Sequence, residues 1–154
     1  MTPATFIDAN VPIYAAGTPH PLKRPCAQIL SVVAKHPEAF VTDAEVLQEM
    51  FHRYLALRRW PQGRDVLTQF AELMRGRVEP VTAGDVTQAT GITDAGNVLS
   101  ARDLLHVAIM RRLGVVRIVS ADSGFDRTVD IERLDPATWS QWRRILAVQV
   151  QRTE

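Results

Sequence analysis

The sequence predicts an α/β domain, a layered sandwich in which helices flank a mainly parallel central sheet. Three observations carry that expectation. Short runs rich in Phe, Val and Ile alternate with longer stretches of helical periodicity, as in a layered α/β architecture. The run Val115 to Ser120 is rich in Val and Ile, which suits a central strand. The helical stretch before it, Ala101 to Leu113, is apolar around nearly its whole circumference, the mark of a buried helix.

The elements follow in chain order. Phe6-Ile7 reads as the end of a buried strand that stops at Asp8. Asn10 is expected to cap a helix through Ala16, with Pro12 near its start, where a missing N–H costs little. Gly17 to Pro21 is a loop, and Cys26 to Ala34 is helical with Pro25 at its start. Ala39 to Thr42 is a second strand. From Asp43 to about Arg59, the apolar residues Leu47, Met50, Phe51, Tyr54 and Leu55 recur at spacings of three and four, one stripe of an amphipathic helix. Trp60 to Gly63 is expected to break that helix before another, Arg64 to Met74. A brief strand at 78–81, a helix over 83–91 and a loop over 93–97 come next. Gly114 ends the buried helix, Ile131 to Leu134 is the last strand, and Trp139 to Val150 is a final helix. No repeat, linker or low-complexity tract divides the chain.

At 154 residues the chain has the size of one domain. Its 18 basic and 17 acidic residues leave a formal charge of +1, so a nucleic-acid site would have to come from local arrangement. Cys26 is the single cysteine, which leaves neither an internal disulfide nor a zinc cluster. Without a visible signal peptide or a run of roughly 20 apolar residues, a cytoplasmic protein is expected.

The chemistry is in the acids. In open α/β sheets, ligands bind beyond the carboxyl ends of the strands. Asp8 ends the first strand, the second leads into a helix bearing Glu45 and Glu49, the fourth leads to Asp122 and Asp126, and Asp103 lies in the first turn of the buried helix. Clustered carboxylates repel one another unless a cation is present. Oxygen donors without cysteine suit Mg²⁺ or Mn²⁺, and a metal held by carboxylates points to phosphodiester hydrolysis.

Each acid also has a plain structural explanation. Asp8 fits a solvated strand end. Thr42 and Glu45 fit a capping box, which accounts for Glu45 but not for Glu49 one turn later. Asp103 suits the dipole of its helix, with Ser100 as cap, although it shares a face with Val107 and Met110, where a carboxylate needs a partner. Asp122 and Asp126 lie in a turn-rich loop that favours Asp for local reasons. His52 and His106 could be general bases or metal ligands, but His52 in a helix beside Arg53 and His106 on a buried helix read first as surface or packed histidines. No P-loop, Gly-x-Ser-x-Gly elbow or deaminase signature is present.

Four stretches together resemble a PIN domain of the VapC toxin family: Phe6-Ile7-Asp8-Ala9-Asn10-Val11, Val41 to Glu49, Ser100-Ala101-Arg102-Asp103-Leu104-Leu105-His106-Val107-Ala108, and Ile118 to Asp126. Their order and spacing carry the resemblance, which implies a PIN-like three-layer sandwich over residues 1–136. Residues 137–154 would be a helical extension packed on the domain or on a partner. The resemblance implies a metal-dependent endoribonuclease acting as the toxin of a toxin–antitoxin pair. Asp8, Glu49, Asp103 and Asp122 would be catalytic and hold Mg²⁺ or Mn²⁺, with Asp126 assisting. Asn10 and Ser120 would orient the carboxylates, Ser120 standing where many members carry Thr. The implied partners are RNA, a VapB-like antitoxin and a second copy of the chain, with no membrane. Lys23 and Lys35 are the only lysines, so 16 of the 18 basic residues are Arg, the side chain suited to bidentate phosphate contacts. Arg53, Arg58, Arg59 and Arg64, grouped around one helix end, are the candidates for RNA binding.

Rival readings are a phosphoacceptor receiver domain, disfavoured because no lysine lies late in the chain, a PIN-like binding module without catalysis, and an RNA-processing nuclease without an antitoxin.

Overall fold

A computed structural model describes residues 4–151, with side chains as far as Leu146. Five parallel strands form one sheet in the order β3-β2-β1-β4-β5. They are β1 (Thr5–Ile7), β2 (Phe40–Asp43), β3 (Val78–Glu79), β4 (Arg117–Val119) and β5 (Glu132–Leu134). Every residue of β1 and β2 is buried, so the centre of the sheet is covered on both faces, as an all-parallel sheet requires. The chain runs outward from β1 through β2 to β3, then returns to lay β4 on the other side of β1. That reversal makes the β1/β4 boundary the switch point of the sheet, where α/β folds place their ligands. The register sets Ile7 opposite Val119 and Phe6 opposite Val41, so the carboxyl ends of the three central strands come level.

The helices are α1 (Asn10–Ala16), α2 (Lys23–Lys35), α3 (Ala44–Ala56), α4 (Trp60–Leu73), α5 (Ala83–Asp94), α6 (Ala101–Leu113) and α7 (Trp139–Gln151). As expected, α6 is almost wholly buried from Leu104 to Met110 and ends at Gly114 with φ +71°, a left-handed conformation that glycine adopts without strain. In α7, Trp142 and Leu146 join the main core. Trp142 donates its indole N–H to the Asp135 carbonyl at 2.6 Å and meets Trp139 edge-on. Burial pushes the Cys26 thiol up to about 12, with help from the charge of Asp135, so it is not a nucleophile at neutral pH.

Several local expectations are corrected. Asn10 does not cap α1; the helix begins at Asn10 itself and its preceding residue, Ala9, makes no side-chain cap. The α2 helix starts at Lys23 rather than Cys26. Thr42 is not the cap of α3 and forms no box with Glu45. Its hydroxyl donates to the Ile7 carbonyl on the neighbouring strand, and Asp43 caps the helix through the Val46 N–H. The break between α3 and α4 falls at Leu57 to Arg59, with Arg58 at φ +55°, and Pro61 sits in the first turn of α4, where proline is at home. Gly63 does not break the helix. It lets α4 approach α3 so closely that a Cβ there would lie 2.2 Å from the Tyr54 ring.

Candidate active site

Asp8 follows β1 directly and is 4% exposed. Burying an ionised carboxylate demands several donors, and Asp8 has them. Oδ1 accepts from the Ala9 N–H at 2.7 Å, and Oδ2 accepts from the Ser120 hydroxyl at 2.6 Å and from Asn10 Nδ2 at 3.2 Å. Asn10 also donates to Ser120 Oγ and accepts from the Ala121 N–H, while the Asp122 N–H donates to Ser120 Oγ. Ser120 is therefore the node joining the ends of β1 and β4.

Beside this node, α3 and α6 bring more charge. Burial pushes the Glu49 carboxyl up, the charge of Asp8 adds to that, and Arg102 opposes it. Arg102 lies 3.2 Å from Glu45 and 3.6 Å from Glu49. Asp103 is pushed up to about 6, first by burial and then by the charge of Asp8, with Asp122 adding to the rise and His106 opposing it. Asp8, Glu49, Asp103 and Asp122 thus share one electrostatic field. Asp122 itself is exposed and accepts from the Gly124 N–H at 2.8 Å.

His106 lies one turn after Asp103 and is fully buried. Its Nδ1 is 2.6 Å from Asp43 Oδ2. Its Nε2 lies 3.9 Å from Asp8 Oδ1, an ion-pair separation too long for a hydrogen bond, and is the single buried side-chain polar atom without a hydrogen-bond partner among the described residues. Burial pulls the imidazole pKa down, but the Asp43 hydrogen bond and the charges of Asp43, Asp8 and Asp103 outweigh it and raise it to about 9. One atom each from Asp8, Glu49 and His106 lies within 4.8 Å of the others. An excess of negative oxygen donors on buried and half-buried side chains fits a hard divalent cation.

The PIN domain family model matches residues 5–131. The chain belongs to this family. Over 84% of its length it is 37% identical to the ribonuclease VapC13 of Mycobacterium tuberculosis, covering 98% of that protein. It is 39% identical to VapC23 of the same species, over 76% of this chain and 91% of the other. Among solved structures, VapBC2 from Rickettsia felis, bound to a promoter DNA fragment, superposes with a TM-score of 0.65 at 16% identity, covering 86% of this chain and 98% of that one; this last likeness concerns the fold.

Within this PIN domain the remaining candidates divide. Asp126 is exposed, and both its oxygens are held by Arg133, at 2.9 and 3.0 Å; the structure does not bring it into the group around Asp8. Arg53, Arg58, Arg59 and Arg64 are exposed on and around the α3–α4 turn. Arg64 stacks over Trp60 at 5.6 Å, and Arg53 is the member of the four whose charge acts on Glu49. Sequence reasoning missed Asp43 and Arg102 altogether and read His106 as a packing residue. The available signal was the spacing of Asp103 and His106, which puts both on one face of a buried helix.

Proposed function

We propose that this PIN domain is an endoribonuclease that cleaves RNA phosphodiester bonds with Mg²⁺ or Mn²⁺, the toxin of a VapBC-type pair. The observation that carries this reading is the buried, fully oriented carboxylate of Asp8 beside Glu49 and Asp103, two acids that burial and then the charge of Asp8 hold above their ordinary range. Asp8, Glu49, Asp103 and Asp122 would hold the cation. When bound, the cation supplies concentrated positive charge that offsets the negative charge of the phosphate and acidifies nearby water.

The residues of the chain do the rest. Ser120 and Asn10 fix Asp8 in one rotamer, so it needs no reorganisation on binding. Arg102 restrains Glu49 at the rim. Arg53, Arg58, Arg59 and Arg64 would take the RNA backbone, guanidinium to phosphate. An antitoxin of the VapB kind and a second copy of this chain are the expected protein partners. No helix among the described residues is long and apolar enough to cross a membrane.

The test is RNA cleavage by the purified protein with Mg²⁺ or Mn²⁺, beside a chelator control and the Asp8→Asn variant. Discrete cleavage lost in both controls is expected. Cleavage that survives Asp8→Asn would place the chemistry elsewhere.

A further inference from the structure

The group that converges within 4.8 Å takes in His106 beside Asp8 and Glu49, and a set of carboxylate ligands alone leaves that histidine unexplained. A fully buried imidazole is normally satisfied at both nitrogens. Here Asp43 occupies Nδ1 at 2.6 Å, while Nε2 is aimed at the acids with no hydrogen-bond partner among the described residues. This is the arrangement of a metal-ligating histidine, whose outer nitrogen gives its N–H to a carboxylate so that ring and tautomer are fixed. The separation from Asp8 agrees. Two atoms that each sit roughly 2.1 Å from one ion can be no more than about 4.2 Å apart, and Nε2 lies 3.9 Å from Asp8 Oδ1. That gap is too wide for a hydrogen bond and suits two ligands of a shared ion.

We propose that His106 Nε2 is an inner ligand of the cation, oriented by Asp43, and that this nitrogen makes the site favour Mn²⁺ over Mg²⁺. The inference rests on the metal-dependent reading above and adds one donor and a selectivity to it. Mg²⁺ demands oxygen and gives up its waters reluctantly, whereas an imidazole moves a site toward first-row transition ions. Any proton on Nε2 passes to solvent as the ion enters. Asp43 is a positioning residue, since it reaches the ion only through His106.

The test is pulsed electron paramagnetic resonance of the full chain with one equivalent of Mn²⁺, prepared with natural-abundance and with ¹⁵N-labelled histidine. Nitrogen coupling that changes with the label is expected, together with its loss in His106→Gln. Competition by Mg²⁺ should show tighter Mn²⁺ binding in the wild type and a smaller preference in His106→Gln. Should that variant fail to fold, Asp43→Asn serves, because asparagine caps a helix as well as aspartate does. It should retain the coupling while Mn²⁺ affinity falls roughly 10–100-fold. Bound Mn²⁺ without nitrogen coupling in the wild type would overturn the role of His106 and leave the carboxylate site standing. No bound Mn²⁺ at all would overturn both.

Discussion

Where α5 meets α6, Asp85 is buried at the first turn of a helix, and its carboxylate is gripped by Arg112 at 2.9 and 3.2 Å. It also closes a capping box with Thr82, and Glu79 lies 3.7 Å from the same guanidinium. Asp103 occupies the corresponding turn of the next helix, capped by Ser100. Yet its surroundings hold other carboxylates, with His106 as the opposing charge. The two respond in opposite directions. Arg112 holds Asp85 below the ordinary carboxylate range, while burial and Asp8 push Asp103 up. Similar residues at similar positions thus serve different ends, and the neighbouring charge distinguishes them. An acid matched by arginine is a fastening, and acids left in excess are available to a ligand.

Substitutions sharpen the contrast. The largest effect on activity is expected from Asp8→Asn, a loss of roughly 10²-fold or more in RNA cleavage, read as initial rates. The cation-free fold should survive, because the loss of a charge that repels Glu49 and Asp103 offsets the new amide donor that faces either the Ala9 N–H or Asn10. Asp85→Ala should do the reverse. It strands Arg112 and removes half of a capping box, costing about 2 kcal/mol in denaturant unfolding, with cleavage per folded molecule unchanged. Equal losses of activity in the two variants would erase the distinction between the corners.

The same contrast sets two pH responses. The contribution of Asp85 is complete above pH ~4, the ordinary carboxylate value, and is lost only as pH falls through its lower folded pKa. Asp103, raised to about 6, opposes folding of the cation-free protein above that pH. The opposition fades as pH falls toward ~4. Asp103→Asn should therefore stabilise the cation-free protein at neutral pH and lose that advantage near pH ~4, as chemical denaturation would report. The same gain at both ends would exclude repulsion as its source. The smallest effect is expected from replacing Arg58 and Arg59 with Ala. RNA binding should weaken, and its logarithmic salt slope should fall by about one for each phosphate that an arginine no longer neutralises, while Mn²⁺ affinity stays put. Unchanged RNA affinity would move the RNA path elsewhere.

Much of this architecture was legible in the order of its residues. The buried α6 announced itself by being apolar all round, and the acids stood where β1, β2 and β4 were expected to end. What stayed hidden depended on partners far along the chain. A one-residue error at the end of β2 gave the cap to Thr42 and concealed Asp43, since the true partner of Thr42, the Ile7 carbonyl, is 35 positions away. His106 looked like packing because Asp43 is 63 positions distant. Asp126 looked like one more member of an acidic loop until Arg133, on the adjacent strand, took both its oxygens. Short-range pattern reports elements and caps; a charge balance is settled only when the elements meet.

The bond from Ser120 to Asp8 spans 112 positions, and this has a consequence for synthesis. During translation the opening strand emerges first, carrying an acid whose orienting hydroxyl has yet to be added. No early fragment contains a finished site, because β4, inserted beside β1, arrives after most of the chain. Closing so long a loop costs entropy before the contact repays it. A polypeptide that has not yet added Ser120 lacks the hydroxyl that orients Asp8, and on the proposed reading it would not cleave the transcripts around it.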